Sequence, residues 1–253
     1  MKKLLALIVL VSVLVSCSKD DTPGDNNGNN KSANQQPTGS SSHDLLSDDT
    51  FTSMVVELVY VEGYEPTQTT INNFVAFLNS RIYKPGGITV EPRSIPSPGI
   101  SIYKTQDYVD FETANRTLYN DGSQIAVWAY FADGKASGDT NTQVTLGTAY
   151  RNTSFIVYEA TIKSLSGGFN EPSTSVLEST VIEHEFGHIL GLTNFGIPMQ
   201  TQHEDTENPK HCNVEECLMY YAATTGPNLM NLGGTIPQLD AQCIADLQAN
   251  GGK

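Results

Sequence analysis

The chain has 253 residues and a formal net charge of −14 at pH 7, from 28 acidic and 14 basic residues. Because lysines and arginines are few and form no cluster, the composition argues against nucleic-acid binding. The acidity favours solubility but does not identify a substrate.

The amino terminus is typical of an export signal. Met1-Lys2-Lys3 is followed by an apolar run over residues 4–15, which is too short to span a bilayer as an anchor. Leu14-Val15-Ser16-Cys17 resembles a lipobox, in which the cysteine is lipidated after cleavage. We therefore predict a signal peptide over residues 1–16 and a lipid anchor at Cys17. This predicts a lipoprotein held in a lipid bilayer, at the outer membrane or cell surface; a soluble secreted protein with an incidental cysteine is the alternative.

Polar residues dominate from residue 18 to about 49, with almost nothing to bury. Such composition predicts that residues 17–49 carry the lipidated cysteine and a flexible linker. Residues 50–253 are long enough for one domain with a substantial core.

Hydrophobic periodicity predicts alternating strands and helices in this domain, followed by a mostly irregular region. The predicted strands cover residues 51–61, 88–91, 124–131, 144–150 and 155–158, the last two joined as a hairpin. The predicted helices cover residues 69–83, 106–119, a segment from about 175 through 192, and about 237–250. This order predicts a mixed α/β (α+β) domain.

His184-Glu185-Phe186-Gly187-His188 carries the most specific signal. Histidines four residues apart on a helix point the same way, so both imidazoles can reach one Zn²⁺. The intervening Glu185 is then placed to take a proton from a metal-bound water, which is the arrangement of zinc peptidases. The flanking apolar residues predict an amphipathic helix with one buried face. On the alternative interpretation, the histidines are only polar partners in the core.

A catalytic zinc needs a third protein ligand. His184, Glu185, His188 and Gly191 resemble the metzincin pattern H-E-x-x-H-x-x-G-x-x-H, but Asn194 stands where the third histidine is expected. His203 and His211 follow. The resemblance implies a metzincin-like zinc peptidase fold, with a twisted mixed sheet, an active-site helix and a C-terminal helix.

Met219 favours His211 over His203 as the third ligand. In matrix-type metzincins and archaemetzincins this histidine precedes the methionine of a conserved turn by eight residues, as His211 precedes Met219. The run from His211 to Met219 is also similar to the archaemetzincin pattern H-C-x4-C-x-M. The resemblance therefore implies that residues 193–210 carry an insertion of 17 residues, with His184, His188 and His211 as ligands of Zn²⁺; His203 remains the alternative.

The same resemblance implies a peptide or protein substrate, hydrolysed with Glu185 as general base and then general acid. Metzincins bind the substrate as an added strand, and residues 144–148 are the candidate sheet edge. Archaemetzincins hold a second zinc with four cysteines. This chain has only Cys243 downstream of Cys212 and Cys217, so a disulfide between the latter two is the expectation for an exported protein. Cys243 is expected to be a buried thiol.

Other interpretations remain open from the sequence. A zinc peptidase of another clan would use a glutamate as third ligand, and Glu204, Glu207, Glu215 and Glu216 are available. A non-enzymatic surface lipoprotein with a structural zinc would need a fourth protein ligand and no Glu185. The triplet from His203 to Asp205 suits either a second cation or a solvated loop, and Tyr220 or Tyr221 suits either an oxyanion contact or plain packing. The sequence does not indicate the oligomeric state.

Overall fold

The structure is a computed structural model that describes residues 31–223 and 234–253. The predicted signal peptide and Cys17 lie outside the described residues. Within that range, none of the helices is both long and apolar enough to cross a membrane. The strands are β1 (Ser53–Val61), β2 (Ile88–Ile95), β3 (Ile102–Tyr103), β4 (Gln124–Phe131), β5 (Lys135–Ala136), β6 (Gly147–Arg151) and β7 (Ser154–Val157), and the helices are α1 (Ser42–Leu46), α2 (Gln68–Arg81), α3 (Thr105–Asn115), α4 (Glu159–Ser164), α5 (Thr174–Ile189) and α6 (Ala241–Ala249).

Five strands form a mixed sheet in the order β2-β1-β4-β7-β6. The first four are parallel, and β6 pairs antiparallel with β7 at the edge, as the predicted hairpin requires. The short strands β3 and β5 form a separate pair. This architecture confirms the predicted mixed α/β fold.

The central strands β1 and β4 are continuous runs of apolar residues because both of their faces are covered. Glu57 is the exception in β1. Its carboxylate, 2 % exposed, lies 2.5 Å from the Arg93 guanidinium and accepts the backbone N–H groups of Thr117 and Leu118. A buried charge is tolerated here because it is paired and fully hydrogen-bonded.

The sequence predicts an amphipathic helix with one buried face, but α5 is buried on all sides. Every residue from Leu177 to Ile189 is buried. One side packs on α2, where the rings of Phe74 and Phe186 meet edge to face at 5.4 Å, and other sides contact β6 and β7. A helix enclosed on all sides needs no polar face, so its hydrophobic periodicity is weak.

Residues 31–49 differ from the predicted flexible linker. Leu45 and Leu46 of α1 are fully buried in the core. Asn34 is also fully buried, and its side-chain amide donates to the Ala126 carbonyl at 2.9 Å and to Asn120 Oδ1 at 2.8 Å. Composition did not predict this packing because a few polar side chains with specific partners order the segment. The prediction for residues 17–30 lies outside the described residues.

Candidate metal centre and active site

Helix α5 brings the H-E-x-x-H residues into the centre of the molecule. Ser173 caps its amino end by accepting the Val176 N–H, and the helix ends at Ile189. Gly191 then has a φ of +81°, which turns the chain sharply. A Cβ on Gly191 would lie 3.0 Å from the Ile197 nitrogen and would overlap the Ser42 hydroxyl, so the turn needs glycine for space as well as conformation.

Three histidines converge beside this helix. One ligand atom from each of His184, His188 and His211 lies within 4.8 Å of the other two. The ring centroids are 4.8 Å apart for His184 and His188, 5.3 Å for His184 and His211, and 5.1 Å for His188 and His211. The structure thus brings together the three residues predicted as zinc ligands.

The hydrogen bonds of these rings leave nitrogen atoms available for a cation. His184 Nδ1 lies 2.7 Å from the Leu218 carbonyl and therefore donates to it, whereas its buried Nε2 has no hydrogen-bond partner among the described residues. The Nδ1 of His188 is likewise buried without a partner in the described range. His211 Nδ1 lies 3.1 Å from the Pro209 carbonyl. Buried unpartnered nitrogens are costly unless something coordinates them, so the residues fit a zinc ion.

Electrostatics keep the three imidazoles neutral. Burial and the neighbouring His211 lower the pKa of His184 to about 3, and burial with its histidine neighbours lowers the pKa of His188 well below its ordinary value. Burial also lowers the pKa of His211. Neutral imidazole is the form that binds a metal, so no proton has to be displaced near neutral pH.

The side chain of Met219 packs against helix α5 at Gly187. A Cβ on Gly187 would overlap its sulfur atom, so this position between Glu185 and His188 has room only for a hydrogen. The Met219 carbonyl accepts the Cys212 N–H at 2.8 Å, which ties the methionine to the residue after His211. The residues from Cys212 to Met219 thus form a loop that this backbone hydrogen bond closes.

Glu185 lies against the edge strand β6. Its Oε2 accepts the Ala149 N–H at 2.8 Å, and its side chain fills the space above Gly147. Burial raises the pKa of the Glu185 carboxyl to about 8, while the bond from Ala149 opposes this rise. A cleft of about 270 Å³ opens here; its lining comprises the three histidines, Glu185, Thr145, Gly147, Thr148, Ala149, Phe195, Pro209 and Lys210.

The other candidate ligands lie elsewhere. Asn194 donates from its amide to Glu204, whose other oxygen accepts the Lys210 N–H. None of the four available glutamates joins the histidine group in the described part of the chain. The rings of Tyr220 and Tyr221 lie 4.9 Å apart, and neither is among the described residues that line the cleft.

Sequence reasoning missed the backbone groups of this site. The Ala149 N–H and the Leu218 carbonyl orient Glu185 and His184 respectively. Backbone groups leave no signature in residue type, so no signal in the sequence identifies them. Gly147 lies within the predicted sheet edge, but its closeness to Glu185 was not predictable from either segment.

The expected disulfide between Cys212 and Cys217 is wrong. Cys212, Cys217 and Cys243 are all free and buried. The sulfur atoms of Cys212 and Cys243 lie 3.4 Å and 3.9 Å from His203 Nδ1, and the sulfur of Cys217 lies 3.7 Å from that of Cys243. This group is separate from the three histidines, and Cys243 is the buried thiol that the sequence predicted. Sequence spacing favoured the nearest pair, whereas the fold brings a third cysteine from α6 to the same place.

Comparison with solved structures supports this fold. The chain is similar to the crystal structure of archaemetzincin from Methanopyrus kandleri, with 16% identity, a TM-score of 0.51, and coverage of 80% of this chain and 96% of that one. It is less similar to metalloproteinase-II from Bacteroides fragilis, with 15% identity, a TM-score of 0.44 and 79% coverage, where it spans 54% of that chain. For a zinc-dependent peptidase from Methanocorpusculum labreanum the identity is 14% and the TM-score 0.46, over 76% of this chain and 99% of that one. No protein-family model matches the chain, and no curated protein sequence matches it.

Proposed function

We propose that the protein is a zinc-dependent endopeptidase with His184, His188 and His211 as zinc ligands and Glu185 as general base. One observation carries the proposal: three neutral imidazoles and one buried carboxylate converge on a single cleft at the edge of the sheet. The fold shared with archaemetzincin is compatible with this assignment.

The donor set favours a catalytic site over a structural one. Among the described residues, the group around His184 and His188 contains only one further ligand, His211. Structural zinc sites are closed by four protein ligands, whereas catalytic sites keep a position open. When bound, a zinc ion would supply Lewis acidity, which acidifies water and polarises a peptide carbonyl.

Glu185 performs the proton transfers in this proposal. The Ala149 N–H holds Oε2, so Oε1 is the atom that accepts the proton of the attacking water. The same carboxyl then donates that proton to the departing amine nitrogen, because a group that acts as base in the first step must lose its proton in the second.

The edge strand β6 supplies the binding surface for the peptide. It pairs with β7 on one side and ends the sheet on the other. Gly147, Thr148 and Ala149 of this strand line the cleft, so an extended substrate added at this edge would pass in front of Glu185. This region overlaps the sheet edge predicted at residues 144–148.

Replacement of Glu185 tests the proposal. We expect Glu185→Gln to retain zinc and to lose at least about 10²-fold in kcat for a casein-derived peptide, because general acid–base catalysis contributes about 10²–10⁴-fold. Zinc content is measured by elemental analysis of the purified protein. A chelator should abolish the parent's activity, and added Zn²⁺ should restore it.

Glu183→Gln is the matched control. Glu183 lies on the same helix and is also buried, but its side chain lines a different cavity beside Phe77 and Gln238. We expect the Glu183→Gln variant to retain peptidase activity. Parental activity in Glu185→Gln would contradict the general-base role. An absence of cleavage across a broad peptide library would favour a non-enzymatic binding protein.

We also propose that Cys17 anchors the protein in a lipid bilayer, at the outer membrane or cell surface. The support is the apolar run followed by Leu14-Val15-Ser16-Cys17. Mass spectrometry of the chain isolated from membranes should show an acylated residue 17, and Cys17→Ser should release the protein from the membrane fraction. An unmodified Cys17 with the signal segment still attached would refute this anchor.

A further inference from the structure

The segment over residues 193–210 forms part of the cleft beside Glu185. Phe195 comes from the beginning of this segment, and Pro209 and Lys210 come from its end. The rings of Phe195 and His188 meet edge to face, with centroids 5.6 Å apart. Both ends of the segment therefore lie beside the candidate zinc ligands, in the cleft that the proposed function assigns to the substrate.

Lys210 is the residue with a fixed positive charge in the described lining of this cleft. Its Nζ lies 5.4 Å from the centre of the Phe195 ring and donates to the Asn194 carbonyl at 2.8 Å. An ammonium group has three N–H donors, so this carbonyl does not exhaust them. No carboxylate in the described part of the chain forms an ion pair with Lys210. The ammonium group can therefore accept a further, negatively charged partner.

The backbone that carries Lys210 is strained. The φ angles of Thr193, Asn194 and Lys210 are +54°, +64° and +73°, and these are three of the four positive values among the described residues other than glycine. A β-branched residue such as Thr193 rarely adopts this region. Strain of this kind persists only where the surrounding structure holds it, and it clusters at functional sites.

Hydrogen bonds tie the two ends of the segment to each other. The Thr193 hydroxyl donates to the Lys210 carbonyl, and the Lys210 N–H donates to Glu204 Oε1 at 2.9 Å. The other oxygen of Glu204 accepts the Asn194 amide at 3.1 Å. Both oxygens of Glu204 are therefore engaged by groups other than the Lys210 ammonium, and the lysine is held at the cleft through its backbone as well as its side chain.

The charge of Lys210 acts against a negative background. The whole chain has a formal net charge of −14. At long range the protein therefore repels an acidic peptide, and only a local positive charge can favour it. Water and salt screen a charge less inside a partly enclosed cleft than on an open surface. A preference created by Lys210 is thus expected at one position of a bound peptide rather than for acidic peptides in general.

We propose that Lys210 determines specificity by binding a carboxylate of the substrate, so that the enzyme prefers peptides with aspartate or glutamate near the cleaved bond. This inference rests on the proposed function. The ring of Phe195 separates the ammonium group from His188. Since each residue of an extended peptide advances about 3.4 Å, the carboxylate belongs to a residue within about three positions of the cleaved bond. The carboxylate at the end of a peptide has the same chemistry and is the second source.

Cleavage of a peptide library by the zinc-loaded protein tests the inference. The library consists of amidated octapeptides in which each position carries glutamate, glutamine, lysine or alanine, and mass spectrometry identifies the cleaved bonds. We expect one position near the cleaved bond to favour glutamate over glutamine by about 10-fold in kcat/KM, because hydrogen bonds between charged groups are the stronger ones. High salt should reduce this preference.

The same octapeptides with a free carboxyl terminus separate the two sources of the carboxylate. Equal cleavage of the free and amidated peptides would assign the preference to a side chain. Cleavage only of the free peptides, close to their end, would assign it to the terminal carboxylate. Either result supports carboxylate binding by Lys210 if the variants respond as follows.

Charge reversal distinguishes recognition from a structural role. Lys210→Gln should lose the preference for glutamate, Lys210→Arg should retain it, and Lys210→Glu should favour lysine at the same position. A lysine that only supports the backbone would not exchange the preferred residue when its charge is reversed. Lys210→Arg also shows whether the segment tolerates substitution, so a variant that fails to fold does not end the test.

Lys163→Gln is the matched control. Its Nζ likewise donates to a backbone carbonyl, that of Gly63, at 3.0 Å. It also lies 5.5 Å from the centre of the Tyr64 ring. Lys163 is not in the described lining of the cleft, so this variant should keep the parental preference.

Peptide binding separates this inference from the proposed function. Zinc-loaded Glu185→Gln should bind the preferred glutamate octapeptide about 10-fold more tightly than its glutamine counterpart in fluorescence anisotropy, and adding Lys210→Gln should abolish the difference. If the parent cleaves no peptide but this difference holds, the result contradicts the proposed function and supports carboxylate binding by Lys210.

Two results would overturn the role of Lys210. One is cleavage or binding of the library without a preference for a carboxylate at any position. The other is a preference that persists in Lys210→Gln, because the carboxylate would then bind to another group, such as the zinc ion.

Discussion

Gly147 offers a way to move the Glu185 carboxylate without changing Glu185. A Cβ at residue 147 would lie 2.5 Å from Glu185 Cγ, 2.7 Å from its Oε1 and 2.8 Å from its Cδ. Ordinary contact begins at 3.4 Å, so Cγ must retreat by about 0.9 Å. The φ of Gly147 lies outside the positive range, so alanine fits the strand backbone.

We expect Gly147→Ala to lower kcat by about 10²-fold, because a misplacement of about 1 Å in a catalytic group has a cost of this size. The Ala149 hydrogen bond to the carboxylate would also be lost or lengthened. Zinc content should stay unchanged, since the three atoms nearest to the added Cβ all belong to Glu185. The assay is single-turnover cleavage of a fluorogenic peptide together with elemental analysis.

Gly138→Ala is the control. A Cβ at residue 138 meets nothing within 4 Å, so this variant should behave like the parent. A double mutant adds a further test. Gly147→Ala should cost almost nothing more in a Glu185→Gln background, because both changes act on the same group. Parental kcat in Gly147→Ala, or loss of zinc in step with loss of activity, would refute this reasoning.

Three further predictions concern the free energy of unfolding, which is measured by urea unfolding. Glu91 is exposed, so Glu91→Gln serves as the control and should change the free energy of unfolding by less than about 0.5 kcal/mol. Burial raises the pKa of Glu159 to about 10, so its carboxyl stays protonated in the folded state while the unfolded state ionises above its ordinary pKa of 4.5. The free energy of unfolding should therefore decline as pH rises from 4.5 towards 10. Glu159→Gln should flatten this decline and raise the free energy of unfolding by about 1–3 kcal/mol at pH 7. An unchanged pH dependence in Glu159→Gln would contradict the assignment of the buried, protonated carboxyl. Glu112→Gln should cost about 3–5 kcal/mol because it leaves the buried Arg116 guanidinium, 2.8 Å away, without its charge partner; a loss below 1 kcal/mol would show that the pair is dispensable. Asn34→Ala should cost about 1–3 kcal/mol and expose the amino-terminal segment to limited proteolysis, whereas unchanged protease resistance would mean that Asn34 does not hold it.

The sequence predicted the elements of the site that depend on short-range spacing. His184 and His188 lie one helical turn apart, so their shared direction follows from helix geometry alone. The resemblance to metzincins, in which the third histidine precedes a methionine by eight residues, selected His211, and the structure brings His211 to the other two histidines. The mixed α/β class and the hairpin followed from the order of the predicted strands and helices, whereas the mixed sheet was implied by the resemblance to metzincins.

Features that depend on long-range packing were not predictable. Cys243 comes from α6, and the insertion supplies His203, so no local spacing indicates that they meet Cys212. The amino-terminal segment was misjudged for a related reason: Asn34 is ordered by partners at residues 120 and 126 rather than by its own neighbours. The hydrophobic pattern of α5 indicated one buried face because the elements that cover its other sides are distant in sequence.

The position of the catalytic zinc tests the account most directly. Crystals of the zinc-loaded protein, measured on both sides of the zinc absorption edge, should give an anomalous peak bonded to His184, His188 and His211, with Glu185 beside the ion but not bound to it. A peak at this place that has Glu185 or a fourth protein side chain as a ligand, or no peak there at full zinc loading, would contradict the proposed catalytic centre.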